Sequence, residues 1–311
     1  MYKYLIVIVI VICMSTRSVF AQQEPFHTSF SAIDFIWNPA MTATDEFAEA
    51  GAAYRQQWAG FDQAPRTIFA YAEVPLVNYN MSIGGYLTKD EILPFSSFEL
   101  GLSYAYKMKL GMTYQDELNL GLSTKFSQYK YEPGSIIATD IQDDLISNKE
   151  NTKLIPDFNF GFFYTTNKNQ FDSDEDAVFL GVSLSQFLLP NRYFNNRQVN
   201  YKKKLHANAL LGYRFNQGNY FIESTLWVLF AQKNLYNYRL NLNMEYEDTF
   251  WGGFEFNTGQ SIRIQGGAIL QNGILNEGYL RIGAAIGFGI GQLARHQGLT
   301  YEFLLSYRFW M

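Results

Sequence analysis

Strict two-residue alternation, sustained longer than a water-soluble strand needs, constrains this chain more than any other feature. From Phe98 every second residue is large and apolar (Leu100, Leu102, Tyr104, Tyr106, Met108, Leu110), and Glu99, Gly101, Ser103, Ala105, Lys107 and Lys109 fall between them. Leu118, Leu120, Leu122, Thr124 and Phe126 repeat the pattern against Glu117, Asn119, Gly121, Ser123 and Lys125, as do Tyr236, Tyr238, Leu240, Leu242, Met244 and Tyr246 against polar partners. A period of two is a strand with one oily and one wet face. Soluble strands typically run about 5 or 6 residues, whereas a tilted strand crossing a bilayer needs about 9 to 11. The length therefore selects a transmembrane antiparallel β-barrel, all-β, with lipid on the apolar face and a polar lumen on the other.

Fourteen such segments are expected: 49–58, 66–75, 79–88, 97–109, 116–130, 157–167, 176–187, 203–215, 219–231, 235–247, 249–258, 261–271, 278–290 and 299–310. An even count closes a bacterial barrel with both termini on one side. The two longest loops, 131–156 and 188–202, follow odd-numbered strands and so belong on the outer side. Aromatics make up 17% of the chain, including 22 Tyr and 27 Phe, and several flank the apolar stripes where headgroups would lie. The final strand alternates Tyr301, Phe303, Leu305, Tyr307 and Phe309 to its end, similar to the sorting signal of outer-membrane barrels.

The first residues give the route to that membrane. Lys3 supplies a positive start, Leu5 to Cys13 an unbroken apolar run, and Val19-Phe20-Ala21 a small-x-small cleavage site, so residues 1–21 read as a secretory signal peptide. That run is too short for a membrane anchor, which needs roughly 20 residues. Its Cys13 is the chain's only cysteine, so the mature protein has no disulfide framework and no thiolate chemistry. A net charge of −5 does not argue for nucleic acid, and Lys202-Lys203-Lys204 reads as solvated surface. The expected organisation is a signal peptide (1–21), an N-terminal periplasmic arm or lumen plug (22–48) and the barrel (49–311).

Tyr54-Arg55-Gln56-Gln57-Trp58-Ala59-Gly60 places Arg55 on the lumen face, where its charge can be solvated or paired, before a turn-rich loop through Pro65. Together with Ile36-Trp37-Asn38-Pro39-Ala40 and Ala64-Pro65, this stretch resembles the N-terminal pattern of the PorP/SprF family of type IX secretion system membrane proteins. Further matches are Ile83-Gly84-Gly85 before Asp90, Leu102 to Tyr106, Ile155 to Phe158 before Gly161, and Tyr301-Glu302-Phe303 with Leu305 to Phe309; the similarity spans nearly the whole mature chain. Two elements depart from the pattern, Met41-Thr42-Ala43 after Asn-Pro-Ala and Gly283 to Gly287 near the end. The resemblance implies a Bacteroidota outer-membrane barrel that serves export or surface attachment of a secreted partner protein, gliding adhesins included, alongside other secretion components. Trp37, Asn38, Pro39, Arg55, Trp58 and Pro65 are the expected partner-binding residues, the alternative being that Asn38-Pro39 and Trp58 set turn and interface geometry. An outer-membrane channel is the other reading.

Catalytic and metal chemistry is sparse. His206 shares the lumen parity, and Ser224 on the next strand is the serine weighed as its partner, but no motif marks the pair. Asp172-Ser173-Asp174-Glu175-Asp176 opens like a calcium loop, yet Ala177 and Ser183 stand where Gly and Glu are required. Asp140, Asp143, Asp144 and Glu150 form an acidic outer loop suited to a cation or a basic partner. No enzyme activity, metal or cofactor is expected. The charges of inward parity, Glu99, Lys107, Lys109, Glu117, Lys125, Arg239, Glu245, Arg263, Arg281, Glu302 and Arg308, are expected to cross-link as ion pairs that fill the lumen, the alternative being an aqueous pore.

Overall fold

Long alternating strands joined by short turns can satisfy every backbone hydrogen bond in lipid only by closing on themselves, and the computed structural model of the chain does so. It describes residues 30–111, 115–132, 150–167, 175–187, 191–193, 200–202, 204–232, 235–258, 261–271, 278–290 and 294–310. The signal-peptide residues, Asp140, Asp143, Asp144, Asp172, Ser173 and Asp174 lie outside these, and Glu150 is described in its backbone alone.

Fourteen long strands follow in order: β1 (Phe47–Gln56), β2 (Arg66–Leu76), β3 (Met81–Ile92), β4 (Phe95–Leu110), β5 (Asp116–Tyr131), β6 (Ile155–Thr165), β7 (Ala177–Ser185), β8 (His206–Gln217), β9 (Tyr220–Gln232), β10 (Leu235–Tyr246), β11 (Phe250–Asn257), β12 (Ser261–Gln271), β13 (Tyr279–Gly289) and β14 (Thr300–Trp310). Each pairs antiparallel with its neighbours. Pairing of β1 with β14, from Phe47 opposite Trp310 to Gln56 opposite Tyr301, closes the cylinder.

The parity read from the sequence is the parity of the fold. Leu100, Leu102, Leu122, Phe160, Phe162, Leu180, Val182, Leu211, Leu240, Leu242, Ile282, Phe303 and Leu305 are exposed on the outer surface, an apolar belt suited to lipid. The residues between them are buried within the ring. The structure is a membrane β-barrel, and among its described residues no helix is long and apolar enough to cross a membrane.

Strand ends differ from expectation where local bonding wins. The first strand stops at Gln56, two residues before the expected boundary, because Gln57 N donates to Pro65 O at 2.9 Å and Trp58 turns to φ 57°. The third and fourth strands lengthen past 88 and 97 into a two-residue connection at Leu93-Pro94, since the ladder continues from Lys89 opposite Phe98 to Ile92 opposite Phe95. That tight turn lies at the end of the barrel away from the termini, where the connections after β5 and β7 are the long ones.

Between Phe30 and Glu46 the chain runs inside the barrel. Two turns of 3-10 helix, Ser31–Ile36 and Pro39–Met41, are its only regular structure, and Phe30, Ile33, Phe35, Trp37, Asn38, Ala40 and Thr42 are all buried. One apolar cluster joins Phe30, Ile33, Phe35 and Ile36 to Phe69, Tyr71, Tyr86, Ala285 and Leu304 on the wall. A second joins Trp37 and Ala40 to Phe163, Phe179, Leu210 and Trp227. Each fully buried large side chain here contributes roughly 1.5–3 kcal/mol. The lumen therefore has an apolar core of its own, built from a segment that cannot bury these groups alone.

Candidate functional site

Asn38-Pro39-Ala40 is the point at which this inner segment meets the wall most closely. Pro39 opens the second helical turn, a position where its missing N–H costs nothing, and Asn38 caps it by accepting from Ala40 N at 3.1 Å. The same Asn38 amide donates to Phe162 O at 2.9 Å, on the wall strand β6. Ser183 donates to the Trp37 carbonyl at 2.6 Å, and Asn208 reaches the same oxygen at 3.4 Å. Further along, Thr42 Oγ1 donates to Pro39 O at 2.7 Å and lies 2.9 Å from Ser103 Oγ, while Ala43 N donates to Glu73 at 2.6 Å. Lys107 donates to the Ala43 carbonyl.

Three glycines make this approach possible. A Cβ at Gly161 would collide with Asn38 Oδ1, one at Gly121 with the backbone of Pro39 and Ala40, and one at Gly181 would stand 2.8 Å from Asn38 Nδ2. Gly121 and Gly161 are direct cross-strand partners on β5 and β6, and Gly181 is on β7 beside them. All three occupy inward parity, so they form a notch in the lumen wall into which Asn-Pro-Ala seats. These glycines carry the geometry, and residue-type reasoning about charged and aromatic groups missed them. The signal that finds them is three consecutive strands whose inward positions include a glycine between oily outward neighbours: Leu120 and Leu122, Phe160 and Phe162, Leu180 and Val182.

Ion pairs line much of the remaining lumen wall. Arg55 Nε lies 3.4 Å from Glu302, Arg263 lies 3.5 Å from Glu302 and 2.8 Å from Glu255, and none of these side chains is more than 5% exposed. Arg281 pairs with Glu245 at 2.8 Å and Arg239 with Asp34 of the inner segment at 3.3 Å. Arg308 bridges Glu49 and Asp45. Burial pushes the Asp45 carboxyl, just ahead of β1, above its ordinary value, against the pull of Arg308. The expected cross-linking of inward charges is present in these pairs.

The six expected partner-binding residues are not brought together. Trp37, Asn38 and Pro39 are buried in the lumen, and Arg55 is paired there. Trp58, 37% exposed, and half-buried Pro65 stand in the connection between β1 and β2, at the end away from the termini. That connection is fastened to the one before β14: Ala59 N donates to Leu299 O at 2.8 Å and Gly60 N to Gln297 O at 3.1 Å. Gly298, at φ 68°, lies so close to Gly60 that a side chain would strike its backbone. His296 is exposed on this same connection.

The serine weighed against His206 is on the wrong face. Ser224 pairs in register with Tyr213 and Leu242 on the outward side, whereas His206 is buried inward with Nδ1 2.8 Å from Lys204 O. Its cross-ladder neighbour is Ser185, and no hydrogen bond joins them. Of the calcium-like stretch, Glu175 lies 3.1 Å from Gln115 Nε2, and Asp176 accepts from Asn216 N at 3.1 Å and from the Tyr213 hydroxyl. No group of three potential metal-binding side chains converges among the described residues.

Solved barrels share this architecture. The CymD monoaromatic hydrocarbon channel superposes with a TM-score of 0.54 at 10% identity, over 91% of this chain and 94% of that one. A FadL homologue from Pseudomonas aeruginosa gives 0.52 at 11% identity, over 88% and 92%. The toluene transporter TodX from Pseudomonas putida gives 0.51 at 5% identity, over 92% and 95%. At such identities the likeness is one of fold. No curated protein sequence matches the chain. The model of the type IX secretion system membrane protein family PorP/SprF matches residues 19–307, nearly the whole length, and the chain belongs to that family.

Proposed function

We propose that this protein is a closed, non-enzymatic outer-membrane anchor that serves export or surface attachment of a secreted partner protein, with other type IX components meeting its periplasmic end. Gliding adhesins belong to the partner class. The observation that carries this reading is the filled lumen: the barrel's own N-terminal segment occupies the space a translocated substrate or a diffusing solute would need. A membrane protein of a secretion family with an occupied lumen has its loops left for binding. Among them, the connection bearing Trp58 and Phe61, 37% and 45% exposed, offers aromatic side chains on a backbone fixed by its neighbour. Rigid exposed aromatics are the residues from which interface hot spots are drawn. Trp37, Asn38 and Pro39 would then act from within, holding the segment that leads into β1.

The test is crosslinking followed by pulldown of tagged protein from intact outer membranes, wild type beside Trp58→Ala. A hot-spot tryptophan is worth about 2 kcal/mol or more, so co-purification of the partner should fall by roughly 30-fold; unchanged recovery removes Trp58 from the interface. The channel reading makes the opposite demand, steady conductance from the wild-type protein in planar bilayers.

A further inference from the structure

At the barrel end that holds the termini, buried acid outnumbers buried base. Asp45, Glu49 and Glu73 stand on adjoining backbone, and Arg308 is the cation between the first two. Tyr71 Oη donates to Glu49 at 2.6 Å. Glu73, only 7% exposed, accepts from Ala43 N, and among the described residues no cation lies within ion-pairing distance of it. Lys107 nearby spends its ammonium on the Ala43 carbonyl. Around the two cavities at this end, eight carboxyl groups face five cations, Arg214 and Arg281 beside Arg308, Lys107 and Lys109. Ionising a carboxyl held from water without a counter-charge costs several kcal/mol, so a ligand that carries its own positive charge is what would draw Glu73 into its charged form.

Glu73 also lines a cavity of about 140 Å³ between the inner segment and the wall. Phe30, Met41, Phe47 and Leu304 give it apolar sides. On its far wall Gln265, 6% exposed, presents an Oε1 that has no donor. A ligand completing this site brings positive charge to Glu73, an aliphatic body to the apolar walls and a donor toward the far side. The carboxylates do not converge as a metal site would. We propose that this cavity binds an alkylammonium group on an aliphatic stem. Two sources share that chemistry, a free linear diamine and the lysine side chain of a peptide entering from the termini side. The site is independent of whether a secreted partner binds the opposite end.

Full-length protein in detergent, titrated calorimetrically with pentane-1,5-diamine in one arm and a blocked lysine tripeptide in the other, tests this. Saturable binding is expected in at least one arm, and which arm responds identifies the source. Glu73→Gln keeps an acceptor for Ala43 N and removes only the group that can ionise against a bound cation, so affinity should drop by at least about tenfold. Glu247→Gln on the exposed rim should leave it unchanged. Heat-modifiable gel mobility establishes that both variants are folded. No saturable binding in either arm at millimolar ligand, or a folded Glu73→Gln protein that binds as wild type does, overturns the proposal.

Discussion

At the scale of single residues, the inner segment depends on side chains that are missing. Gly161→Ala would place a methyl group where Asn38 Oδ1 sits, and Gly121→Ala would place one against the backbone of Pro39 and Ala40, which has no rotamer to change. Overpacking typically costs about 1–3 kcal/mol, and at Gly121 the backbone must move, so the segment should unseat while the strands persist. Limited proteolysis in detergent reads this directly: cleavage between 30 and 46 should become rapid in Gly121→Ala, with the barrel fragment intact. The buried pairs give a second residue-scale expectation. Glu302 serves both Arg55 and Arg263, so Glu302→Ala removes a carboxylate that two buried guanidinium groups share. Breaking a buried pair from one side costs about 3–5 kcal/mol. The temperature at which the folded band disappears on gels should fall markedly, and more than for an exposed pair such as Lys89–Glu91.

At the scale of elements, the seam between first and last strands decides whether there is a barrel. Ten register pairs join β1 to β14, and an aromatic group holds their termini-side ends: Phe47 lies 3.9 Å from the Trp310 ring and 5.8 Å from Tyr279, centroid to centroid. Aromatic pairs are worth about 0.5–1.5 kcal/mol beyond their burial, and removing a buried Phe costs about 3–5 kcal/mol. Phe47→Ala should therefore reduce the yield of heat-modifiable protein in membranes. Phe250→Ala, exposed on the outer surface away from the seam, should do so far less. An equal loss from both would mean that aromatic lipid contact, and not closure, is what the seam cluster provides.

At the scale of the whole molecule, two layers are nested, a lipid-facing cylinder and an inner segment packed to it by two apolar clusters and a set of hydrogen bonds. The wild-type protein should be electrically silent in planar bilayers, and removal of residues 30–44 should produce steps of conductance, because fourteen strands enclose more space than their own inward side chains fill. Open wild-type channels would contradict the closed reading and favour the transport alternative.

The cylinder was legible in the residues themselves because its cause is local. Side chains of a strand alternate, lipid accepts only the oily ones, and a run such as Phe98 to Leu110 states both facts without any partner strand. The Trp37-Asn38-Pro39 turn could likewise be marked from its own residues. Where that turn goes could not, because its seat is made by Gly121, Gly161 and Gly181, some 80 to 140 positions downstream, whose meaning exists only once three strands lie side by side. The same holds for Ser224 and His206, neighbours by strand order that register and parity put on opposite faces. Local chemistry settled which face of each strand meets lipid, while the contents of the lumen were decided by contacts between residues far apart in the chain, which only closure of the barrel creates.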